Sequence, residues 1–64
     1  MTPVDLRNLA AYHAARARCA RQCAALMAEC PAAEKIKSDA DRHDDWASKL
    51  IELADAFYAF AAHQ

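Results

Sequence analysis

Three cysteines follow one another at helical spacing in the first half of the chain. Cys19, Cys23 and Cys30 fall within about 40° of one another on a wheel of 100° per residue. Such a stripe of thiols could bind a soft metal such as Cu(I), with His13 or His43 as a further ligand. The chain has no CxxC pair, however, and cysteine is also a small apolar residue that suits a helical core. We therefore predict neither a metal nor a cofactor, and we keep a cysteine-lined copper-binding bundle as an alternative.

The other reactive side chains form no catalytic motif. His13, His43 and His63 are dispersed, and the sequence contains no nucleophile–base pair, HExxH motif or glycine-rich phosphate loop. A chain without glycine also offers few loops on which a catalytic pocket could be built. We predict that the protein is not an enzyme.

The basic residues of the first half share one helix face. Arg7, Arg18 and Arg21 lie opposite the cysteines, where they could contact the phosphates of RNA or DNA. Three arginines over about four turns are sparse. Eight Lys and Arg against nine Asp and Glu give a net charge of −1, which points to neither nucleic acid nor membrane.

The second half carries a row of acidic side chains on the outer face of its helix. The row extends over about four turns, and its only nearby cation in the sequence is Lys49. Such a row suits docking on a basic surface, for instance the DNA-facing side of a transcription factor, with a solvated face as the plain alternative. The predicted partner-binding residues are Asp41, Asp45, Glu52 and Asp55.

The composition indicates that helices position all of these side chains. Eighteen residues are alanine, none is glycine, and the only prolines are at positions 3 and 31. Thr2 is suited to cap a first helix, and Pro31 should stop that helix near residue 30. Ser38 and Asp41 match a capping box for a second helix. We predict one all-α hairpin domain over 1–64, with helix 1 at about 3–30, a connection at about 31–38 and helix 2 at about 39–62.

The second helix carries a heptad seam of large apolar residues with steps of four, three, four and three. This seam consists of Trp46, Leu50, Leu53, Phe57 and Phe60. A second seam beside it consists of Ala47, Ile51, Ala54, Tyr58 and Ala61. Because two adjacent seams need more than one neighbouring helix, the sequence predicts a homodimer that forms an antiparallel four-helix bundle.

The first helix has an alanine-rich seam that would let a neighbouring helix approach closely. It consists of Leu6, Ala10, His13, Ala17, Ala20, Ala24 and Met27. At the open end of the antiparallel hairpin we expect an aromatic cluster of Leu9 and Tyr12 with Phe57 and Phe60. The predicted core and dimer residues are Tyr12, Trp46, Leu50, Leu53, Phe57 and Phe60.

Short segments spread over most of the chain carry a family resemblance. They are Met1-Thr2 with Asp5-Leu6-Arg7 and Leu9, then Leu26-Met27-Ala28-Glu29, Asp45-Trp46 and Leu53-Ala54-Asp55-Ala56. Together they resemble a small phage-encoded family of quorum-sensing anti-activators. The resemblance implies a helical-hairpin homodimer that binds a LuxR-type regulator, blocks its DNA binding, and can also bind the pilus assembly ATPase. The cysteine stripe departs from the family pattern, and no family contact residue is transferred to this chain.

Two further resemblances leave alternatives open. Asp39-Ala40-Asp41, Ala54-Asp55 and Tyr58 are similar to the second helix of Rop-like plasmid regulators, which bind paired RNA loops. A fainter similarity is to phage hairpins that sequester cyclic nucleotides. An RNA-binding regulator and a nucleotide-sequestering hairpin are therefore the other candidate functions.

The sequence-based hypothesis is a phage or mobile-element inhibitor that occludes a host protein. We expect a cytoplasmic protein without membrane association, in the host cytosol if it is phage-encoded. The reason is that the sequence shows no signal-peptide pattern and no apolar stretch as long as the ~20 residues of a transmembrane helix. The expected partners are a second copy of the chain and a host protein such as a transcription regulator or a motor ATPase.

Overall fold

The computed structural model describes residues 1–62, so that His63 lies outside the described part of the chain. Two helices, α1 over Pro3–Leu26 and α2 over Ala32–Ala62, pack against each other as an antiparallel hairpin. The all-α hairpin predicted from the sequence is confirmed. Neither of the two described helices combines the length and the apolarity needed to cross a membrane.

The first helix begins as the sequence predicts. The Thr2 hydroxyl accepts a hydrogen bond from the Asp5 backbone N–H (3.2 Å), and the Asp5 carboxylate accepts one from the Thr2 backbone N–H (3.0 Å). This reciprocal capping box satisfies backbone donors that a helix N-terminus leaves without partners. The hydrogen bond from the Thr2 backbone N–H is the larger cause that lowers the pKa of Asp5, and a hydrogen bond with the Thr2 side chain is the next.

Acid is therefore expected to loosen the first turn of α1. Because the pKa of Asp5 is lower in the folded chain than its ordinary value of 3.8, the unfolded chain binds more protons near that pH. The stabilising contribution is present above pH 3.8 and is lost as the pH falls through the folded pKa. Carbon chemical shifts of residues 2–6, followed through an acid titration, should report this loss of helicity. The matched variant Asp5→Asn cannot titrate, and an equal transition in it would contradict the assignment.

The turn between the helices comes earlier than predicted. The chain leaves α1 at Leu26 and enters α2 at Ala32, so the predicted connection at about 31–38 is wrong and the connection is 27–31. Pro31 lies just before α2, where its missing N–H removes no helical hydrogen bond. The Ala-Ala-Glu-Lys segment that follows consists of good helix formers, so the predicted capping box lies inside α2 and does not begin it.

The early turn makes the two helices unequal in length. The first has 24 residues and the second has 31, which is about 36 Å and about 46 Å at 1.5 Å per residue. Pro3 and Asp55 are equally far from the turn, so residues 56–62 extend past the start of α1. We call 56–62 the overhang. Every residue of the overhang is exposed, and Arg7 of α1 reaches it, with its guanidinium carbon 5.6 Å from the centre of the Tyr58 ring.

The core between the helices is built almost entirely from alanine. The buried residues are Leu6, Ala10, Ala17, Ala24, Ala33, Ala40 and Ala54. The four from α1 all belong to the alanine-rich seam, where the sequence predicts the close approach of a neighbouring helix, and the structure identifies that helix as α2. Methyl side chains permit close helix packing but bury little apolar area, so a core of this kind stabilises by only about 3–5 kcal/mol.

Candidate interaction surface

The large apolar residues of α2 lie outside this core. We name as the aromatic stripe the five residues Trp46, Leu50, Leu53, Phe57 and Phe60. Leu50 is partly buried, whereas the others are 46%, 48%, 45% and 66% exposed in chain order. Contiguous exposed apolar surface of this kind marks interaction sites. The stripe is therefore a candidate surface for another protein chain.

The aromatic cluster predicted at the open end does not form, because the observed turn does not bring its members to the same level of the hairpin. Tyr12 is level with Trp46 along the hairpin, not with Phe57 or Phe60, because the turn comes several residues early. The Tyr12 ring lies 5.3 Å from the ring of His13, which in turn lies 5.1 Å from the ring of Trp46. The aromatic contact between the helices thus involves histidines that the sequence did not place together.

A pair of histidines lies between the helices beside Trp46. The Nδ1 atoms of His13 and His43 are 2.8 Å apart, and both side chains are partly buried. Their rings stack at 5.0 Å, and each meets the Trp46 ring edge-on, at 5.1 and 5.4 Å. One imidazole must donate and the other accept, so a single proton lies between the two nitrogens. This bond helps to fix how α1 is aligned along α2.

Two members of the predicted acidic row are held by the first helix. Asp41 accepts a hydrogen bond from Arg21 at 2.9 Å, and Asp55 accepts one from Arg7 at 2.6 Å. Lys49 is therefore not the only cation near the row, as the sequence had suggested. Each of these four side chains is at least 44% exposed, so both ion pairs are in contact with water and stabilise only weakly.

The other two members of the row face away from the first helix. Within residues 1–62, no ion pair involves Asp45 or Glu52, and both residues are exposed. On the helical wheel they lie about 110° from the aromatic stripe, on the side opposite the buried alanines. We call Asp45 and Glu52 the acidic face. It is the part of the predicted partner site that remains available to a partner.

The same ion pairs engage most of the predicted basic face. Arg21 also contacts Asp44 at 2.5 Å, and the hydrogen bonds that it donates to Asp44 and then to Asp41 raise the pKa of Arg21. With Arg7 bound to Asp55, only Arg18 of the three arginines has no ion pair within residues 1–62. This arrangement weakens the case for a phosphate-binding face.

The cysteines lie on the surface of the hairpin and not in its core. Cys19, Cys23 and Cys30 are exposed free thiols. The first two line a groove of about 440 Å³ between the helices, together with Arg16, Ile36 and Trp46. In the described part of the chain, no group of three His, Cys, Asp or Glu side chains is placed to hold a metal ion.

The fold and these surfaces define a class of protein, a small helical hairpin with an exposed aromatic stripe and a separate acidic face. Comparison with protein-family models, with curated proteins and with solved structures gives no match. Function is therefore inferred from the surfaces of the hairpin.

Proposed function

We propose that this chain is a non-enzymatic inhibitor from a phage or mobile element, which binds a host protein and blocks it by occlusion. The sequence resemblance suggests a LuxR-type regulator or a pilus assembly ATPase as the target. The protein would act in the host cytosol as a homodimer joined through the aromatic stripe. Occlusion requires affinity and a rigid surface, and it requires no reactive group.

The observation that carries this proposal is the separation of three faces on α2. Buried alanines such as Ala40 and Ala54 contact α1, the aromatic stripe lies about 110° away, and the acidic face lies about 110° farther round. A helix with one apolar and one charged free face can bind two different surfaces at once. We assign the apolar face to a second copy and the acidic face to a basic surface on the host protein, such as a DNA-binding surface.

Charge reversal on the acidic face tests this proposal. The double variant Asp45→Lys and Glu52→Lys should abolish capture of the host target from lysate while helicity by circular dichroism stays unchanged. In the part of the chain that the structure describes, neither carboxylate has an ion pair to lose, so the hairpin itself should not be affected. If the captured protein is a transcription regulator, the wild-type chain should also release it from DNA in a gel-shift assay.

A matched control separates the acidic face from net charge. Glu29→Lys with Glu34→Lys makes the same change in charge at exposed positions near the turn, at the loss of one weak exposed ion pair between Glu34 and Lys37, and it should leave capture intact. Equal capture by wild type and the Asp45/Glu52 variant would remove the acidic face from the proposal. Equal loss in both double variants would show a response to net charge alone.

A further inference from the structure

The hairpin exposes more surface than a compact protein of its mass. Its accessible surface is 4794 Å² at 7.1 kDa, whereas a compact monomer of that mass exposes about 4,100 Å². The excess of about 700 Å² is close to the ~800 Å² that each partner buries in a standard interface. The hairpin as a whole therefore exposes about as much additional surface as one further chain would cover.

We infer that a second copy of the chain covers this surface in a defined arrangement, with α2 against α2, antiparallel, about a two-fold axis beside Leu53. The inference rests on the homodimer of the proposed function and specifies its geometry. In such a symmetric contact, residue i meets residue j of the other copy and j meets i.

The aromatic stripe is close to symmetric about Leu53, which favours this axis. Reversing the second helix about Leu53 pairs Trp46 with Phe60 of the other copy and brings Leu50 within one residue of Phe57 of the other copy, while Leu53 lies beside Leu53 of the other copy. All five positions then face apolar partners, as the seam of an antiparallel coiled coil requires. The buried alanines join α1 to α2 on another side, and the ring contact of α1 with the stripe is that of His13 with Trp46, which stays 46% exposed, so the stripe remains open to this pairing.

The overhang gives a second, independent reason for the same axis. Phe60 lies beyond the start of α1, and its own chain leaves it 66% exposed. The proposed axis places it against Trp46 of the other copy, where α1 and α2 of that copy run side by side. The overhang of each copy is thereby covered by the two-helix part of the other.

The neighbouring arrangements are less favourable. A shift by one heptad would centre the contact near Leu50 and press the Asp39 carboxylate against Phe60, and burying a charge against an apolar ring is costly. In a parallel pair, each residue would lie beside the same residue of the other copy, and the two overhangs would contact only each other.

Single-cysteine cross-linking distinguishes these arrangements. The three native cysteines, Cys19, Cys23 and Cys30, are all exposed and are first changed to Ser in the 64-residue chain. The variants Leu53→Cys, Leu50→Cys and Phe60→Cys of this chain are then oxidised in a glutathione buffer. The proposed axis places position 53 of one copy beside position 53 of the other, but it separates position 60 of one copy from position 60 of the other by about 21 Å. We expect Leu53→Cys to form the covalent dimer about tenfold more than Phe60→Cys, since disulfides require close Cα atoms.

A mixture of two variants at exposed positions beside the stripe tests the same axis without removing a stripe side chain. The axis brings position 49 within one residue of position 56 of the other copy, so Lys49→Cys mixed with Ala56→Cys should give a mixed covalent dimer in preference to either variant alone. Self-cross-linking of Phe60→Cys would show a parallel pair, and predominant cross-linking of Leu50→Cys would show the shifted register. Either of these results, or sedimentation of the wild-type chain as a monomer, overturns the inference. In that case, capture of a host protein that depends on Asp45 and Glu52 would still support the proposed function. Conversely, a dimer cross-linked at position 53 that captures no host protein would support the dimer geometry and contradict the proposed function.

Discussion

Changing Phe57 to alanine is expected to separate the dimer into chains that are largely unfolded. Phe57 is 45% exposed in a single hairpin and would be buried opposite Leu50 of a second copy. Removing a buried phenylalanine costs about 3–5 kcal/mol, which is comparable to the whole contribution of a core this small, about 3–5 kcal/mol. Sedimentation equilibrium should show the loss of the dimer, and the urea midpoint of the wild type should rise with protein concentration because association stabilises the fold.

The control for Phe57→Ala is Leu26→Ala, which removes an exposed apolar side chain at the other end of the molecule. Leu26 is 89% exposed and lies outside the proposed contact, so its loss should change neither the mass of the dimer in sedimentation nor the midpoint of urea unfolding. Trp46→Ala and Leu50→Ala should behave like Phe57→Ala. A folded, stable monomer of Phe57→Ala would show that the aromatic stripe is not the dimer surface.

Enlarging Ala17 or Ala40 to leucine should destabilise the hairpin from within. Both side chains have no accessible surface, since α1 and α2 meet at these positions. Inserting extra carbon atoms into such a contact costs about 1–3 kcal/mol through strain and backbone shifts. Thermal unfolding followed by circular dichroism should show a clear fall in midpoint for each variant.

Ala25→Leu is the matched control for the two core variants. It makes the same substitution in α1 at an exposed position, and leucine is nearly as good a helix former as alanine. Its midpoint should stay close to that of the wild type. Equal midpoints for Ala17→Leu and Ala25→Leu would mean that the helices are not packed as closely as described.

The sequence was sufficient for the class of fold and for the start of the first helix. These follow local rules, the high alanine content and the Thr2 cap, and the structure confirms them. The alanine-rich seam marked a place where a helix could approach closely, but its spacing did not specify which helix would do so. The turn was misplaced because Pro31 can either end one helix or precede the next, and the sequence does not distinguish these roles. An error of a few residues in the turn then changes every pairing between the helices, so the contact of His13 with His43 could not be foreseen.

The partner site shows the same dependence on helix alignment. All four predicted acidic residues are exposed, but which of them remain unpaired depends on where the arginines of α1 arrive. Asp41 and Asp55 meet Arg21 and Arg7 only when the turn is at 27–31. Composition and spacing cannot supply that information, because an ion pair between two helices requires the full geometry of the hairpin.

The alanine core also determines where conformational entropy is lost. An alanine side chain has no rotamers to restrict, so packing α1 on α2 orders the backbone with almost no loss of side-chain freedom. The large side chains of the aromatic stripe keep much of their rotamer freedom until another surface covers them. Most of the side-chain entropy is therefore lost when the dimer forms and not when α1 packs on α2, so the cost of ordering the large side chains belongs to association.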